Sequence, residues 1–240
     1  MSSTTAAAGD TPAPMNVFAR FIGIITAPRA TFASVAAHPK ILGILLVTIV
    51  ISAFGAALPM TTDAGKQAAI DRQVQTMESF GRPVDDKMYE AFQKGTAIMP
   101  YTAGGSVLVV TPIIIAIMSG IFFAIYNGAM GGEASFKQIY AVVTHAGVIT
   151  ALGQLFTGPL NYFRGSVSSP TNLGALLPML EEKSFPGRLI GMVDIFAVWW
   201  VFVLAVGLAV LYRRKTQPTA ISLFAVYAVI AVCVAAFMSR

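Results

Sequence analysis

Five intervals of the chain stay apolar long enough to cross a hydrocarbon core of about 30 Å, which takes around 20 helical residues. They are 41–60, between Lys40 and Asp63; 101–127, with its apolar heart from Val107 to Tyr126 and Pro112 as a kink point; 138–158, after Lys137; 191–212; and 218–238. A backbone in lipid must satisfy its own hydrogen bonds, so each interval is expected to be a helix. The glycine-rich turn NGAMGGEAS joins spans two and three, and RRKTQP joins spans four and five. Both are short enough to impose antiparallel hairpins. The Gly pairs at 104–105 and 131–132 read as turns at helix ends.

The stretches between the spans have a different rhythm. In loop 61–100, Ile70, Val74, Met77 and Phe80 fall at helical spacing, and Pro83 with Asp85 and Asp86 opens a second helix carrying Met88, Tyr89 and Phe92. Two short amphipathic helices outside the membrane are predicted, capping the bundle. Ahead of span one, PMNVFARFIGIITAPRATFASVAAHP is apolar but broken by Arg20, Pro28, Arg29 and Pro39. It is too interrupted to cross and reads as interfacial amphipathic helices. Loop 159–190 contains TNLGALLPML, interrupted by Pro178, which fits a surface-lying or shallow re-entrant turn. Residues 1–14 have neither a basic n-region nor an apolar h-region, and read as a disordered tail. The expected fold class is an all-α integral membrane protein: five transmembrane helices, interfacial N-terminal helices and a short amphipathic helical loop, in one membrane domain over 15–238.

Composition agrees with that pattern. Of 240 residues, 56% are hydrophobic and 11% charged, against roughly a quarter charged in soluble domains. The net charge of +5 comes without a basic, aromatic-interleaved stretch, so nucleic acid is not an expected partner and membrane lipid is. A single cysteine, Cys233, rules out an intrachain disulfide. Placing the N-terminus in the cytoplasm collects Arg20, Arg29, Lys40, Lys137 and the lipid-facing basic turn Arg213, Arg214 and Lys215 inside, with most acids in the two long outer loops. The tight basic turn weighs most, and predicts the N-terminus inside and the C-terminus outside.

Two ionisable groups are expected at membrane depth, His145 and Asp194. His145 should lie about 12 Å from the inner edge and Asp194 about 4–5 Å from the outer edge, roughly 14 Å apart in depth, too far for a direct bond. His145 reads as a neutral imidazole bonded to a neighbouring span. Asp194 reads as a boundary group paired with Arg188, Arg164 or a backbone donor. Trp199 and Trp200 lie deep enough that at least one should pack between helices. Tyr140, Thr144, Gly147, Ala151, Gln154 and Gly158 form one face of span three, and Thr48, Ser52, Gly55 and Pro59 a similar stripe in span one. Small and polar faces of this kind let helices approach closely. No HExxH, CxxC, phosphate-binding glycine loop or nucleophile triad is present, so neither enzymatic chemistry nor a cofactor is expected.

Several segments together resemble the Yip family, five-span membrane proteins named for interaction with Ypt/Rab GTPases, in its divergent bacterial form. FARFIGIITAPRATFASVAAHP is similar to the family's lead-in, with Pro28, the Thr31-Phe32 step and Pro39 in place. GGEASFKQIYAVVTHAG resembles its glycine turn, Phe136 and the start of span three. NLGALLPML followed by DIFAVW and Gly207 resembles the approach to span four, with Asp194, Phe196 and Trp199 in matching places. The resemblance implies a scaffold or trafficking-related protein of the bacterial inner membrane, homo-oligomeric or in complexes with protein partners, and without cofactor. The eukaryotic branch carries a longer N-terminal region; here residues 1–40 precede span one and the insertion at 61–100 is long, so a Rab-binding role is not expected to carry over. The competing reading is a small-solute or ion transporter using the polar face of span three, with His145, Gln154 and Thr144.

Overall fold

The computed structural model describes residues 13–177, 179–181 and 184–239. Pro178 and most of the expected tail lie outside the described residues. Among the described residues eleven α-helices follow in order: α1 (Val17–Thr26), α2 (Pro28–Ala37), α3 (Leu42–Ala57), α4 (Asp63–Ser79), α5 (Asp86–Lys94), α6 (Met99–Phe123), α7 (Phe136–Ala146), α8 (Val148–Arg164), α9 (Phe185–Gly191), α10 (Ile195–Leu211) and α11 (Thr216–Met238). The described residues form no β-strand, and the chain is an all-α membrane protein.

Four helical stretches are long and apolar enough to cross a bilayer: Leu42–Thr61, Asp86–Ala129 with α6 at its heart, Phe136–Arg164 built of α7 and α8, and Thr216–Met238. The fifth expected span, α10, has 17 residues and a length of about 25 Å at 1.5 Å per residue. It is also the centre of the bundle, contacting α2, α7, α8 and α11 and burying Val201, Val203, Leu204 and Leu208. The outer helices α6 and α11 are the least covered by protein, and present Leu108, Val109, Ile113, Ile117, Ile221, Val229 and Ile230 outward. An uncovered apolar surface this extensive belongs to a chain whose solvent is lipid.

Small residues decide where the helices touch. A Cβ on Gly158 would sit 2.7 Å from the Cα of Gly55, so α3 and α8 cross backbone to backbone where the two predicted stripes meet. A Cβ on Gly207 would sit 2.7 Å from Val142 Cγ1 and 2.9 Å from the Phe32 ring, so this glycine lets α2 and α7 both seat against α10. Phe32 is fully buried there. Pro28 occupies the first turn of α2, where its missing N–H costs nothing, and Pro39 lies in the joint between α2 and α3. The lead-in helices thus bury Ile24, Phe32 and Val35 in the core.

Two sequence expectations need correction. Gly104 and Gly105 are not a turn: they lie inside α6, where Gly104 faces the Ala53 carbonyl and Ala57 methyl of α3. Span three is not one uninterrupted helix over 138–158. A turn at Gly147 divides α7 from α8, and α8 runs on through Pro159 to Arg164. Helical spacing cannot reveal such a break, because the two halves keep one face nearly in register. The start of α7 follows its sequence closely: Ser135 and Gln138 form a capping box, and Gln138 also donates to the Ala36 carbonyl at 2.9 Å, tying α7 to the end of α2.

Loop 61–100 forms the two helices that its spacing predicts, α4 and α5. Thr62 caps α4 and Asp85 caps α5. One end of the bundle gathers α1, α2, the turn after α6 and the turn between α10 and α11, joined by contacts such as Arg29 with Thr216 at 3.5 Å and Tyr212 with Asn127 at 2.7 Å. The other end gathers α4, the loop after α8 and the last turn of α11, with Phe80 and Phe237 5.5 Å apart.

Candidate functional site

Asp194 stands immediately before α10 in extended backbone, φ −107° and ψ 139°. Its Oδ1 accepts from the backbone N–H groups of Phe196 at 2.8 Å and Ala197 at 3.2 Å. Its Oδ2 accepts from the hydroxyls of Ser169 and Thr171, both at 2.6 Å. The two segments are held side by side by Leu173 N–H donating to the Val193 carbonyl and Ile195 N–H donating to the Thr171 carbonyl. Four donors match the acceptor capacity of one ionised carboxylate, and its negative charge faces the positive end of the helix dipole. The expected boundary role therefore takes the form of a cap with backbone donors. The hydroxyl partners were missed by the sequence reading, because nothing local pairs a Ser-Ser-Pro-Thr loop with a residue more than twenty positions on.

Beside this cap opens a cleft of about 440 Å³, lined among others by Gly55, Arg72, Thr150, Gln154, Asn161 and Asp194. Gln154 is exposed into it. The Asn161 Oδ1 is buried and accepts no hydrogen bond. Arg72, reaching over from α4, donates to the Val167 carbonyl at 3.0 Å. The Phe196 ring seats against Gly153, where a Cβ would lie 3.0 Å from it, and stacks on Trp199 with centroids 6.4 Å apart. Trp199 and Trp200 are both partly buried against the core, so both pack between helices.

His145 lies elsewhere. It is fully buried, and its Nδ1 is 2.7 Å from the Ala141 carbonyl of its own helix. A carbonyl only accepts, so Nδ1 carries the proton and Nε2 of the neutral ring is left as an acceptor. That lone pair receives Arg20 Nη1–H at 3.3 Å. Arg20 is itself 2% exposed, and donates further to the carbonyls of Met15 at 3.1 Å, His38 at 2.9 Å and Lys40 at 3.3 Å. The spacing predicts an interfacial charge at Arg20; the structure encloses it in protein and joins it to His145. Thr144 is also buried and donates to the Tyr140 carbonyl one turn back. The candidate polar residues of span three thus separate: Thr144 and His145 are enclosed, whereas Gln154 faces the cleft.

The geometry of Asp194 predicts the behaviour of two variants. Asp194→Asn keeps an oxygen for the backbone cap and stays close to the parent in detergent melting temperature. Asp194→Leu removes every acceptor and lowers stability by at least the cap's usual contribution of about 1 kcal/mol. Equal melting temperatures for all three proteins would remove the capping role.

The comparisons with known proteins agree with the architecture. The Yip1 domain family model matches residues 22–238, from within α1 to the end of α11. No curated protein and no solved structure matches the chain. A match over nearly the whole membrane bundle, with Pro28, Pro39, Asp194, Phe196, Trp199 and Gly207 in the structural positions just described, means that the chain belongs to the Yip1 domain family.

Proposed function

We propose that this protein is a non-enzymatic membrane scaffold that binds protein partners or further copies of itself, in membrane organisation or trafficking. The observation that carries the reading is how the enclosed polar groups are used. The Arg20 guanidinium and the His145 imidazole are enclosed and bond each other and backbone carbonyls, so neither lines the open cleft. A surface for partners is available on α5, whose nine residues include none that is buried and which exposes Met88 and part of Tyr89, whose hydroxyl accepts from Gln67 of α4. The apolar faces of α6 and α11 offer a second surface, to lipid or to another helix.

Crosslinking in native membranes tests this directly. Discrete adducts with other proteins or with a second copy are expected, and they should weaken when Met88 and Tyr89 are replaced by Ser. Recovery of monomer alone, under conditions that crosslink a known membrane complex, would contradict the proposal. The transporter reading is favoured by one observation, the exposure of Gln154 in an open cleft. Solute flux in reconstituted vesicles that is abolished by Gln154→Leu would establish it over the scaffold.

The orientation belongs to the same proposal: five spans in the bacterial inner membrane, with the N-terminus and the basic turn in the cytoplasm. It is supported by the grouping of Arg29, Arg213 and Arg214 at one end of the bundle. A cysteine placed at Ser79 should react with a membrane-impermeant thiol reagent on intact cells, and one at Thr216 should stay unlabelled. The reverse pattern would invert the orientation.

A further inference from the structure

The end of the bundle that carries the turn between α10 and α11 holds a second cleft, of about 360 Å³, lined by Arg29, Ala33, Ala209, Val210, Arg213 and Arg214. Three guanidinium groups thus share one concavity with small apolar walls. Among the described residues, the ion pairs are Lys66 with Asp63 and Lys94 with Glu90, so none of the three arginines has a carboxylate partner. Like charges gathered without a counter-charge repel one another, and the repulsion is relieved when an anion enters.

Two of the three side chains are held in place. Arg29 Nη1 lies 3.5 Å from the Thr216 hydroxyl. The Arg214 guanidinium lies 5.9 Å over the centre of the Tyr126 ring, and Tyr126 is stacked on Tyr212 with centroids 4.6 Å apart. Tyr212 is fixed in turn by donating to Asn127 Oδ1. Positioned guanidinium forks suit the oxygens of a phosphate, which accept paired hydrogen bonds.

The third arginine carries an independent sign. Arg213 has φ 52°, the left-handed conformation, at the end of α10, where Arg214 N–H closes a bond of 2.8 Å to the Ala209 carbonyl. Helices ending this way usually place Gly or Asn there, because a Cβ is disfavoured in that conformation. A strained backbone kept under a charged side chain that lines a cleft points to a role for the side chain. Leu211 ends the apolar helix just before it, so the cleft lies at the level where headgroups begin.

We infer that Arg29, Arg213 and Arg214 form a binding site for a phosphate oxyanion, supplied either by an anionic phospholipid headgroup or by a soluble phosphate. The site goes beyond the scaffold reading and does not depend on it.

The test uses the full-length protein in nanodiscs of phosphatidylcholine containing a small fraction of phosphatidate or cardiolipin, with retained lipid read by native mass spectrometry. A parallel arm adds inorganic phosphate in solution to protein in phosphatidylcholine alone. Arg213→Gly is the informative variant, because it removes the guanidinium while giving the left-handed position its preferred residue, so its melting temperature should hold or rise. Arg29→Gln is its companion. Anionic lipid should be retained over phosphatidylcholine, with retention falling about tenfold in either variant. Retention of inorganic phosphate without enrichment of anionic lipid would assign the site to a soluble oxyanion. Equal retention by Arg213→Gly and the parent, or no preference for any phosphate anion over phosphatidylcholine, would overturn the inference.

Discussion

A guanidinium enclosed by protein must have its N–H groups satisfied where it lies, and the placement of the first three helices follows from how Arg20 meets that requirement. The carbonyls it reaches belong to Met15, ahead of α1, and to His38 and Lys40, in the joint that turns α2 into α3. Its fourth partner is His145 of α7. One side chain therefore fixes the start of α1, the angle between α2 and α3, and the distance of all three from span three. Carbonyls in a helix-to-helix joint lack helical partners, so the same bonds that satisfy Arg20 also satisfy them.

The rest of the bundle is built around the same joint. With α2 held at that angle, Phe32 falls onto Gly207 of α10, and Gln138 reaches back to the last turn of α2. Across the bundle, Gly55 and Gly158 bring α3 and α8 to backbone contact. At the opposite end, Asp194 fixes the start of α10 to the loop after α8. A helix that is apolar all round, as α10 is, carries no preferred face of its own, so its orientation must come from such end contacts and from the one glycine that admits a neighbour. Packing specificity rests on a few small residues, the enclosed Arg20–His145 cluster and the half-buried Asp194 cluster.

Much of this was legible in the sequence. Long apolar intervals locate the spans because nothing except a helix or a closed barrel can shield a backbone in lipid. The helical pair in loop 61–100 and the start of α5 were legible from local signals, since a cap is made by residues three or four apart. Asp194 was legible for the same reason, with its backbone partners two and three residues on. What escaped were contacts between residues far apart in the chain. Arg20 on a short amphipathic helix has the pattern of a surface cation, and its burial is decided by carbonyls about twenty residues away and a histidine 125 residues away. The cleft that joins Arg29 to the α10–α11 turn was hidden likewise, although both halves were recognised as basic. The break at Gly147 escaped because a glycine in an apolar helix serves equally well as a packing surface or as a turn.

The most direct test of the central role of Arg20 is hydrogen–deuterium exchange of the detergent-solubilised protein with Arg20→Met, a substitution that keeps the unbranched stem and removes the charge and its donors. Loss of the guanidinium frees the Met15 and Lys40 carbonyls and the His145 lone pair together, and leaves the His38 carbonyl only the Lys40 N–H. Backbone protection should therefore collapse through residues 17–40 while α10 and α11 keep theirs. Protection of residues 17–40 equal to that of the unmodified protein would contradict the account.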